Sequence, residues 1–303
     1  TPSVLAGICV MSGIYCLVEA LITTVLAKQY NPDFRYQWGI ENMFFCSFYR
    51  VATLGSGSGV AAIIYLGEHG IEYGGGFGLY MIQYALHKIS IALFSAIFFV
   101  MNWEFMRNWF GDYAGLLAAG YVLTLVITLG LFLFCCSNRF HHLICRLLDF
   151  ANQKFHGKFE IMAEEIKRQC MMLEDASNHL MKNKKVTTEV IFLCLLKCCF
   201  WYGIPYLLFK GVQFQGNPAL SLSQVLAITS LSVMLAAVIP SPAGIGSTEF
   251  VFTTLFAGIV GTGIAGSASL LYRFGTFVFP FLVGAVVVLV RHFKRKKLSS
   301  GSI

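Results

Sequence analysis

Residues 240–249 read PSPAGIGSTE and interrupt an apolar stretch that runs from about 222 to 262. Proline lacks a backbone donor and glycine weakens a helix, so this motif predicts a break in the middle of a membrane helix. A second apolar stretch, from about 40 to 66, is interrupted in the same way by TLGSGSG at 53–59. We therefore predict two pairs of half-helices, each joined by a glycine-rich loop.

The composition places both breaks in a lipid bilayer. Of the 303 residues, 57% are apolar and 12% are charged, whereas a soluble domain carries about 25% charged residues. The charged residues cluster in a few loops, and the stretches between them are long enough to cross roughly 30 Å of hydrocarbon. This excludes a water-soluble globular protein and predicts an all-α polytopic membrane protein. Uninterrupted spans are expected at about 4–27, 77–100, 114–137, 188–210 and 267–292.

The polar segment 138–187 separates the two membrane halves and holds nine Lys or Arg and six Asp or Glu. Its apolar residues recur at helical spacing, which predicts an amphipathic helical hairpin. We interpret it as a connector on the membrane surface, with lipid sensing as the alternative. His141, His142 and Cys145 lie here, but no second ligand pair follows, so no metal site is expected. The apolar residues of the pattern are Leu143, Leu147, Phe150, Ile161 and Ile166.

The distribution of charge predicts the sidedness, because Lys and Arg near span ends mark the cytoplasmic side. By this rule the basic tail 293–303 and the hairpin 138–187 are cytoplasmic. The first broken segment then starts and ends inside, and the second starts and ends outside. The membrane halves 1–137 and 188–292 would form an inverted repeat with two re-entrant helical hairpins, which is typical of transporters. The alternative is that each half-helix crosses fully, which removes the symmetry.

The two glycine-rich breaks are the first candidate binding region. Irregular backbone at membrane depth is tolerated only where it is buried in protein or lines a polar cavity. Each break also starts a half-helix whose free amides and positive dipole end favour a phosphate, with Ser58 and either Ser247 or Thr248 as expected caps. The alternative is that the glycines only allow tight helix packing. The loop candidates are Thr53, Gly55, Gly57, Gly244, Gly246, Ser247 and Thr248.

Ionisable residues inside the spans form the second candidate set, because each costs several kcal/mol unless it is paired or hydrated. Their surplus of positive charge suits an anionic headgroup, and Arg273 is the strongest candidate because a guanidinium binds phosphate bidentately. Glu249 is predicted to accept an ammonium. The alternatives are a structural Glu249–Arg273 pair and a Lys88 that snorkels. The candidates are Glu19, Arg50, Lys88, Lys197, Glu249 and Arg273, with His87 beside them.

No catalytic or nucleotide-binding motif is recognisable in the sequence. It holds no GxSxG elbow, no HExxH pair and no Walker loop, so we expect no enzyme activity, no catalytic residues, no cofactor and no nucleic-acid partner. The ten cysteines make no CxxC pattern and lie mostly in apolar runs, so they are interpreted as packing residues rather than a disulfide framework.

The two breaks resemble those of a known family. The motif at 240–249, followed by Arg273 and Pro280, is similar to the signature of the lysylphosphatidylglycerol synthase transmembrane-region family: a proline, a glycine-rich loop, a glutamate and a later arginine. The first break and the following Gly70-Ile71 resemble that family's earlier loop, with Leu54 where proline is usual. The resemblance covers about 40–292.

This resemblance implies a lipid flippase like the membrane half of the bacterial multiple peptide resistance factor. It implies a multi-pass protein of the inner membrane that moves phosphatidylglycerol or its lysyl derivative to the outer leaflet and so confers resistance to cationic antimicrobial peptides. It also implies a lipid aminoacyl transferase as partner, separate or fused, and one more N-terminal span before residue 1. Two rivals stay open: a lipid-modifying membrane enzyme, and a scaffold that presents lipid without transporting it. The lipid species, the energy source and the oligomeric state also stay open.

Overall fold

The computed structural model describes residues 2–154, 160–180, 182–210 and 219–300. Every regular element in these ranges is helical. The helices are α1 (Pro2–Ala27), α2 (Tyr36–Ala52), α3 (Gly57–Glu68), α4 (Tyr73–Met101), α5 (Trp103–Phe110), α6 (Ala114–Cys136), α7 (Asn138–Lys154), α8 (Glu160–Leu180), α9 (Lys184–Phe209), α10 (Leu222–Ala236), α11 (Ser247–Val260), α12 (Thr262–Arg273) and α13 (Phe279–Ser300).

The described helices confirm the predicted class of an all-α, multi-pass membrane protein. Six stretches are long and apolar enough to cross a bilayer. The predicted spans fall within α1, α4, α6, α9 and the α12–α13 pair, whose junction is a π-helical turn at Phe274–Val278. The six stretches are Pro2–Ala27, Tyr73–Met101, Gly115–Cys136, Lys184–Phe209, Pro242–Val260 and Thr262–Lys294.

The first break lies between α2 and α3, which have 17 and 12 residues. At 1.5 Å per residue these helices are about 25 and 18 Å long, less than the hydrocarbon thickness. The chain reverses through two residues with positive φ, Leu54 at 52° and Gly55 at 104°. Proline fixes φ near −65°, so the conformation at position 54 explains why this loop carries leucine rather than proline.

The second break lies between α10 and α11, which have 15 and 14 residues and are each about 21 to 23 Å long. A short 3-10 turn, Pro242–Gly244, joins them. Three residues of this loop have positive φ: Ala243 at 54°, Gly244 at 73° and Gly246 at 84°. Proline and glycine therefore interrupt the helix at the position that the sequence predicts.

Helix α2 is wedged between α1 and α13. A Cβ added to Gly39 of α2 would lie 2.2 Å from Thr24 Oγ1, and a Cβ added to Gly284 of α13 would lie 2.3 Å from the Phe44 oxygen. Next to Gly284, the rings of Phe48 and Phe281 stack with centroids 5.5 Å apart. Because only glycine permits these approaches, a helix from the beginning of the chain is packed tightly against one from its end.

The polar segment 138–187 contains α7 and α8, and α9 begins within its last residues. Helix α8 packs on α4, where a Cβ on Gly78 would lie 2.1 Å from Ala176 Cβ, and Ser177 Oγ donates to the Cys136 oxygen at 3.2 Å. The apolar residues of the predicted pattern are not the ones that α8 packs on α4. Leu143, Leu147 and Ile161 are exposed, Ile166 is half-buried, and the Phe150 side chain lies outside the described set. The side chains that α8 buries are Cys170, Leu173, Ala176, Ser177 and Leu180.

Candidate functional site: a cationic cavity between the two breaks

The two broken segments meet each other. A Cβ added to Gly55 in the first break would lie 3.3 Å from the Ala243 nitrogen in the second. Gly55 has a φ of 104° and Ala243 one of 54°, so each loop adopts a left-handed backbone at the point of contact. Glycine at position 55 is required both by its conformation and by the neighbouring backbone.

Beside this contact lies a cavity of about 750 Å³, lined by both breaks and by α1, α2, α4, α9 and α12. Its size is in the range of small-molecule sites. Nine of the thirteen predicted site residues line it: Glu19, Arg50, Gly55, Lys88, Lys197, Gly244, Ser247, Thr248 and Arg273.

The other four predicted residues, Thr53, Gly57, Gly246 and Glu249, shape the breaks instead of lining the cavity. The Gly57 nitrogen donates to Thr53 Oγ1 at 2.7 Å, and the Gly246 nitrogen donates to Glu249 Oε2 at 2.8 Å. These two bonds satisfy free amides at the starts of α3 and α11.

The prediction that Ser58 caps α3 and that either Ser247 or Thr248 caps α11 was wrong. No side-chain cap bond comes from the Ncap residue of α3 or α11. Instead, Thr53 and Glu249, which are not Ncap residues, accept the amides of Gly57 and Gly246. The Ser247 hydroxyl instead pairs with Ser241 Oγ at 2.6 Å, which ties the two sides of the second loop together. Ser58 Oγ lies 3.3 Å from the Tyr80 hydroxyl.

Lys197 does not contribute free positive charge to the cavity. Its Nζ lies 2.5 Å from Glu19 Oε2, and its side chain is only 4% exposed. Gln83 Nε2 donates to the other oxygen, Oε1, at 2.9 Å. This cluster joins α1, α4 and α9 on the cavity wall and neutralises one of the four cations.

Arg273 is paired as well, but only in part. Its Nε donates to Glu249 Oε1 at 2.8 Å, and its guanidinium lies 4.5 Å from the ring of Phe277. Its Nη2 is buried and has no partner among the described residues. The structure therefore contains the Glu249–Arg273 pair that was an alternative in the sequence analysis. The Nη2 atom of Arg273 is left without a hydrogen-bond acceptor among the described residues. Both carboxylate oxygens of Glu249 are occupied within the protein.

Arg50 and Lys88 carry the remaining charge of the cavity. Neither forms an ion pair within the part of the chain that the structure describes. Arg50 is exposed to the cavity, and Lys88 Nζ lies 5.3 Å from the ring of Tyr84. A cation–π contact of this kind does not neutralise an ammonium. These two residues give the cavity its net positive character.

The sequence indicated His87 and Lys88 on α4 but not Tyr80, Gln83 and Tyr84, which lie on the same polar face and line the same cavity. Tyr80, Tyr84 and Lys88 lie four residues apart, as do Gln83 and His87, and all five line the cavity. Residues spaced by four lie on one face of a helix. A polar stripe at that spacing within an otherwise apolar span was the signal that could have revealed them.

The described residues hold no group of three or more His, Cys, Asp or Glu that could bind a metal ion. His141, which the sequence places near His142 and Cys145, is buried and its Nε2 bonds to the Phe134 oxygen at 2.5 Å. That contact gives His141 a packing role at the junction of α6 and α7.

Residues 1–284 match the family described as lysylphosphatidylglycerol synthase TM region. The chain belongs to this family. No curated protein and no solved structure matches it. The match confirms the resemblance that the two breaks carry and extends it from residue 40 back to residue 1.

The residues of the second break that carry the resemblance to the lysylphosphatidylglycerol synthase TM region family have defined places in the structure. The glutamate and the later arginine of the second motif, Glu249 and Arg273, are one ion pair. Pro280, which follows them in the motif, lines the cavity. The motif therefore contains residues that line the cavity, such as Arg273 and Pro280, and Glu249, which holds Arg273 in place.

Proposed function

We propose that this protein is a lipid translocase that holds the headgroup of an anionic phospholipid in the central cavity while the acyl chains stay in the bilayer. One observation carries the proposal: the two helix breaks meet at Gly55 and Ala243 and share a cavity whose cations Arg50 and Lys88 form no ion pair within the described residues. A buried surplus of charge is costly in a membrane unless a ligand or water balances it.

The chemistry of the cavity suits a phosphate. Arg50 and Lys88 supply positive charge, and the free Nη2 of Arg273 supplies a further buried donor. Charge-assisted hydrogen bonds of this kind are stronger than those between neutral groups. The loops keep backbone near this space, because Gly244 lines the cavity and has no side chain to fill it.

The proposal includes an inverted repeat with re-entrant hairpins. Helices α2, α3 and α10 are each shorter than the hydrocarbon thickness. Helix α11 is also shorter by itself, and Pro242–Val260 reaches a spanning length only when the 3-10 turn before α11 is included. The two loops meet as opposed hairpins would. A cavity at such a meeting point can open alternately to the two faces. With the basic tail inside, the first break enters from the cytoplasm and the second from outside.

We further propose phosphatidylglycerol or its lysyl derivative as the substrate, in the inner membrane of a bacterium. The family description supports this choice. Glu19 is the carboxylate in the described lining of the cavity, but Lys197 and Gln83 already bind its two oxygens, so we assign neither Glu19 nor Glu249 to the ammonium of the lysyl derivative. Export of such a lipid lowers the negative charge of the outer surface and so would weaken binding of cationic peptides.

The proposal contains no chemical step on the lipid. A partner with lipid aminoacyl transferase activity would make the lysyl derivative, and this chain would move it. The two rivals, a lipid-modifying enzyme and a non-transporting scaffold, differ from it in what they do to the lipid and where the lipid ends.

Reconstitution tests the proposal. The purified protein is placed in vesicles with fluorescent phosphatidylglycerol, its lysyl derivative or phosphatidylcholine, and the outer leaflet is bleached by dithionite. We expect rapid loss of the inner-leaflet pool of the first two lipids and slow loss for phosphatidylcholine. Rates equal to those of protein-free vesicles would favour the scaffold, and a new lipid species in mass spectra would favour the enzyme.

A further inference from the structure

A second, smaller cavity of about 120 Å³ adjoins the central one. The two share the residues Tyr84, Lys88, Ile91, Val233 and Ala237 on α4 and α10. On its far side the smaller cavity is bounded by α6, through Thr124, Ile127, Thr128 and Leu131. We call this space between α4, α6 and α10 the α6 cleft.

Helix α6 is fixed to the bundle near its middle and at its C-terminal end. Near its middle, a Cβ on Gly120 would lie 2.6 Å from Leu235 Cδ2, and Tyr121 donates to the Ala92 oxygen at 3.0 Å. Thr124 donates to the Met234 oxygen at 3.1 Å. At its C-terminal end, the Cys136 oxygen accepts from Ser177 of α8. The cleft lies beside the part of α6 that runs from Thr124 to Leu131.

The cleft borders the lipid phase. Helix α6 is the least buried of the candidate spans, since only 11% of the residues in its most apolar 18-residue stretch are buried. Val122, Val126 and Leu129 on its outer face are 55%, 61% and 49% exposed, and Ile127 is 55% exposed although it also lines the cleft. An apolar chain leaving the central cavity through the cleft therefore reaches the hydrocarbon directly.

Lys88 marks the boundary between a polar and an apolar compartment. Its side chain lines the charged central cavity and the cleft, and within the described residues it has no acidic partner. Beyond Lys88 the walls of the cleft are mostly Ile, Leu, Val and Met. The Thr124 hydroxyl donates to the backbone oxygens of Gly120 and Met234, so its proton is not available to a polar ligand.

We infer that the α6 cleft is the acyl-chain site of the protein, where one chain of an anionic phospholipid lies between α6 and α10 while Lys88 binds its phosphate. The inference rests on the proposed lipid function of the central cavity and assigns the route by which the lipid enters it. The charge complementarity at Lys88 and the continuity of the two cavities favour an amphiphile. A purely apolar ligand would leave the ammonium of Lys88 without a counter-charge.

Photo-crosslinking tests the site without measuring transport. The full chain is reconstituted with phosphatidylglycerol or phosphatidylcholine that carries the same diazirine-labelled acyl chain, irradiated, and mapped by mass spectrometry. We expect Leu131 and Val238 in the cleft to be labelled at least threefold more by phosphatidylglycerol. Val126, on the lipid-facing side of α6, should be labelled equally by both lipids. Equal labelling of the cleft residues by the two lipids would overturn the inference.

Lys88→Met removes the charge while keeping an unbranched stem. We expect it to abolish the headgroup preference at Leu131 and Val238 and to leave labelling at Val126 unchanged. Unchanged preference in a folded Lys88→Met variant would contradict the role given to Lys88. If this variant does not fold, Ile127→Trp takes its place, because residue 127 is largely exposed and its indole narrows the cleft.

Ile127→Trp has a matched control in Val126→Trp, which places the same ring on the neighbouring lipid-facing position. The first should reduce cleft labelling at least threefold and slow phosphatidylglycerol transport; the second should change neither. Equal behaviour of the two variants would rule out the cleft as the route. If cleft labelling is headgroup-dependent while the wild-type protein moves no lipid, the acyl-chain site stands and the translocase proposal fails.

Discussion

The two helix breaks use different chemistry to do the same structural task. In the first, a neutral hydroxyl, Thr53 Oγ1, accepts the amide of Gly57, and the nearby cation Arg50 forms no ion pair among the described residues. In the second, the carboxylate of Glu249 accepts the amide of Gly246 and also neutralises Arg273. The first break therefore leaves its positive charge available to a ligand, whereas the second uses most of its charge to hold itself together.

The largest expected effect is on the second break. Glu249→Ala would leave Arg273 buried without its counter-charge and the Gly246 amide without its acceptor, which costs about 3 to 5 kcal/mol of stability. We expect a large drop of the melting temperature in detergent, and partial recovery in the double variant Glu249→Ala/Arg273→Met. Glu104→Ala, at an exposed position of α5, serves as control. A melting temperature equal to that of the control would show that the pair does not support the break.

A smaller loss is expected from Gly55→Ala at the contact between the breaks. The left-handed φ of 104° costs an alanine about 1 to 2 kcal/mol, and its Cβ would lie only 3.3 Å from the Ala243 nitrogen. Gly130→Ala on α6 is the control, since a Cβ there meets nothing within 4 Å. Differential scanning fluorimetry should separate the two variants; equal stabilities would mean that the loops are not in contact.

The first break should respond less strongly to loss of its own anchor. Thr53→Ala removes the oxygen that accepts the Gly57 amide, and loss of a capping hydroxyl costs about 1 kcal/mol. Thr53→Ser keeps that oxygen and should restore most of the stability. A shift for Thr53→Ala as large as that for Glu249→Ala would contradict the distinction between the two breaks.

The smallest effect on stability is expected from Arg50→Ala. Arg50 is exposed to the cavity and forms no ion pair in the described ranges, so its removal should change the free energy of unfolding by less than about 0.5 kcal/mol. Arg273→Ala, its counterpart in the second break, should be clearly less stable. If Arg50→Ala unfolds as readily as Arg273→Ala, Arg50 has a structural role instead of a binding role.

The sequence predicts the parts of the fold that depend on local composition. Long apolar stretches mark α1, α4, α6 and α9, and the proline and glycine clusters mark both breaks, because these signals act within a few residues. The docking of α8 on α4 was not predictable in this way. It depends on Gly78 meeting Ala176, a contact between residues that are far apart in the chain.

The candidate site shows the same division. Composition identified the charged residues within the spans, but it could not tell which of them are neutralised. The Glu19–Lys197 pair joins residues 178 positions apart, and only the packing of α1 on α9 brings them together. Sequence reasoning therefore favoured Arg273 as the main phosphate ligand, whereas the geometry gives Arg50 and Lys88 the free charge.

The central claim is that the free charge of the first break binds the headgroup that the protein moves. The most direct test is the initial rate of transbilayer movement of labelled phosphatidylglycerol in vesicles that contain wild-type protein, Arg50→Ala or the surface control Arg107→Ala. Loss of a charged hydrogen bond of about 1.5 to 3 kcal/mol predicts a rate at least about tenfold lower for Arg50→Ala and an unchanged rate for Arg107→Ala. Wild-type transport by a folded Arg50→Ala variant would contradict the account.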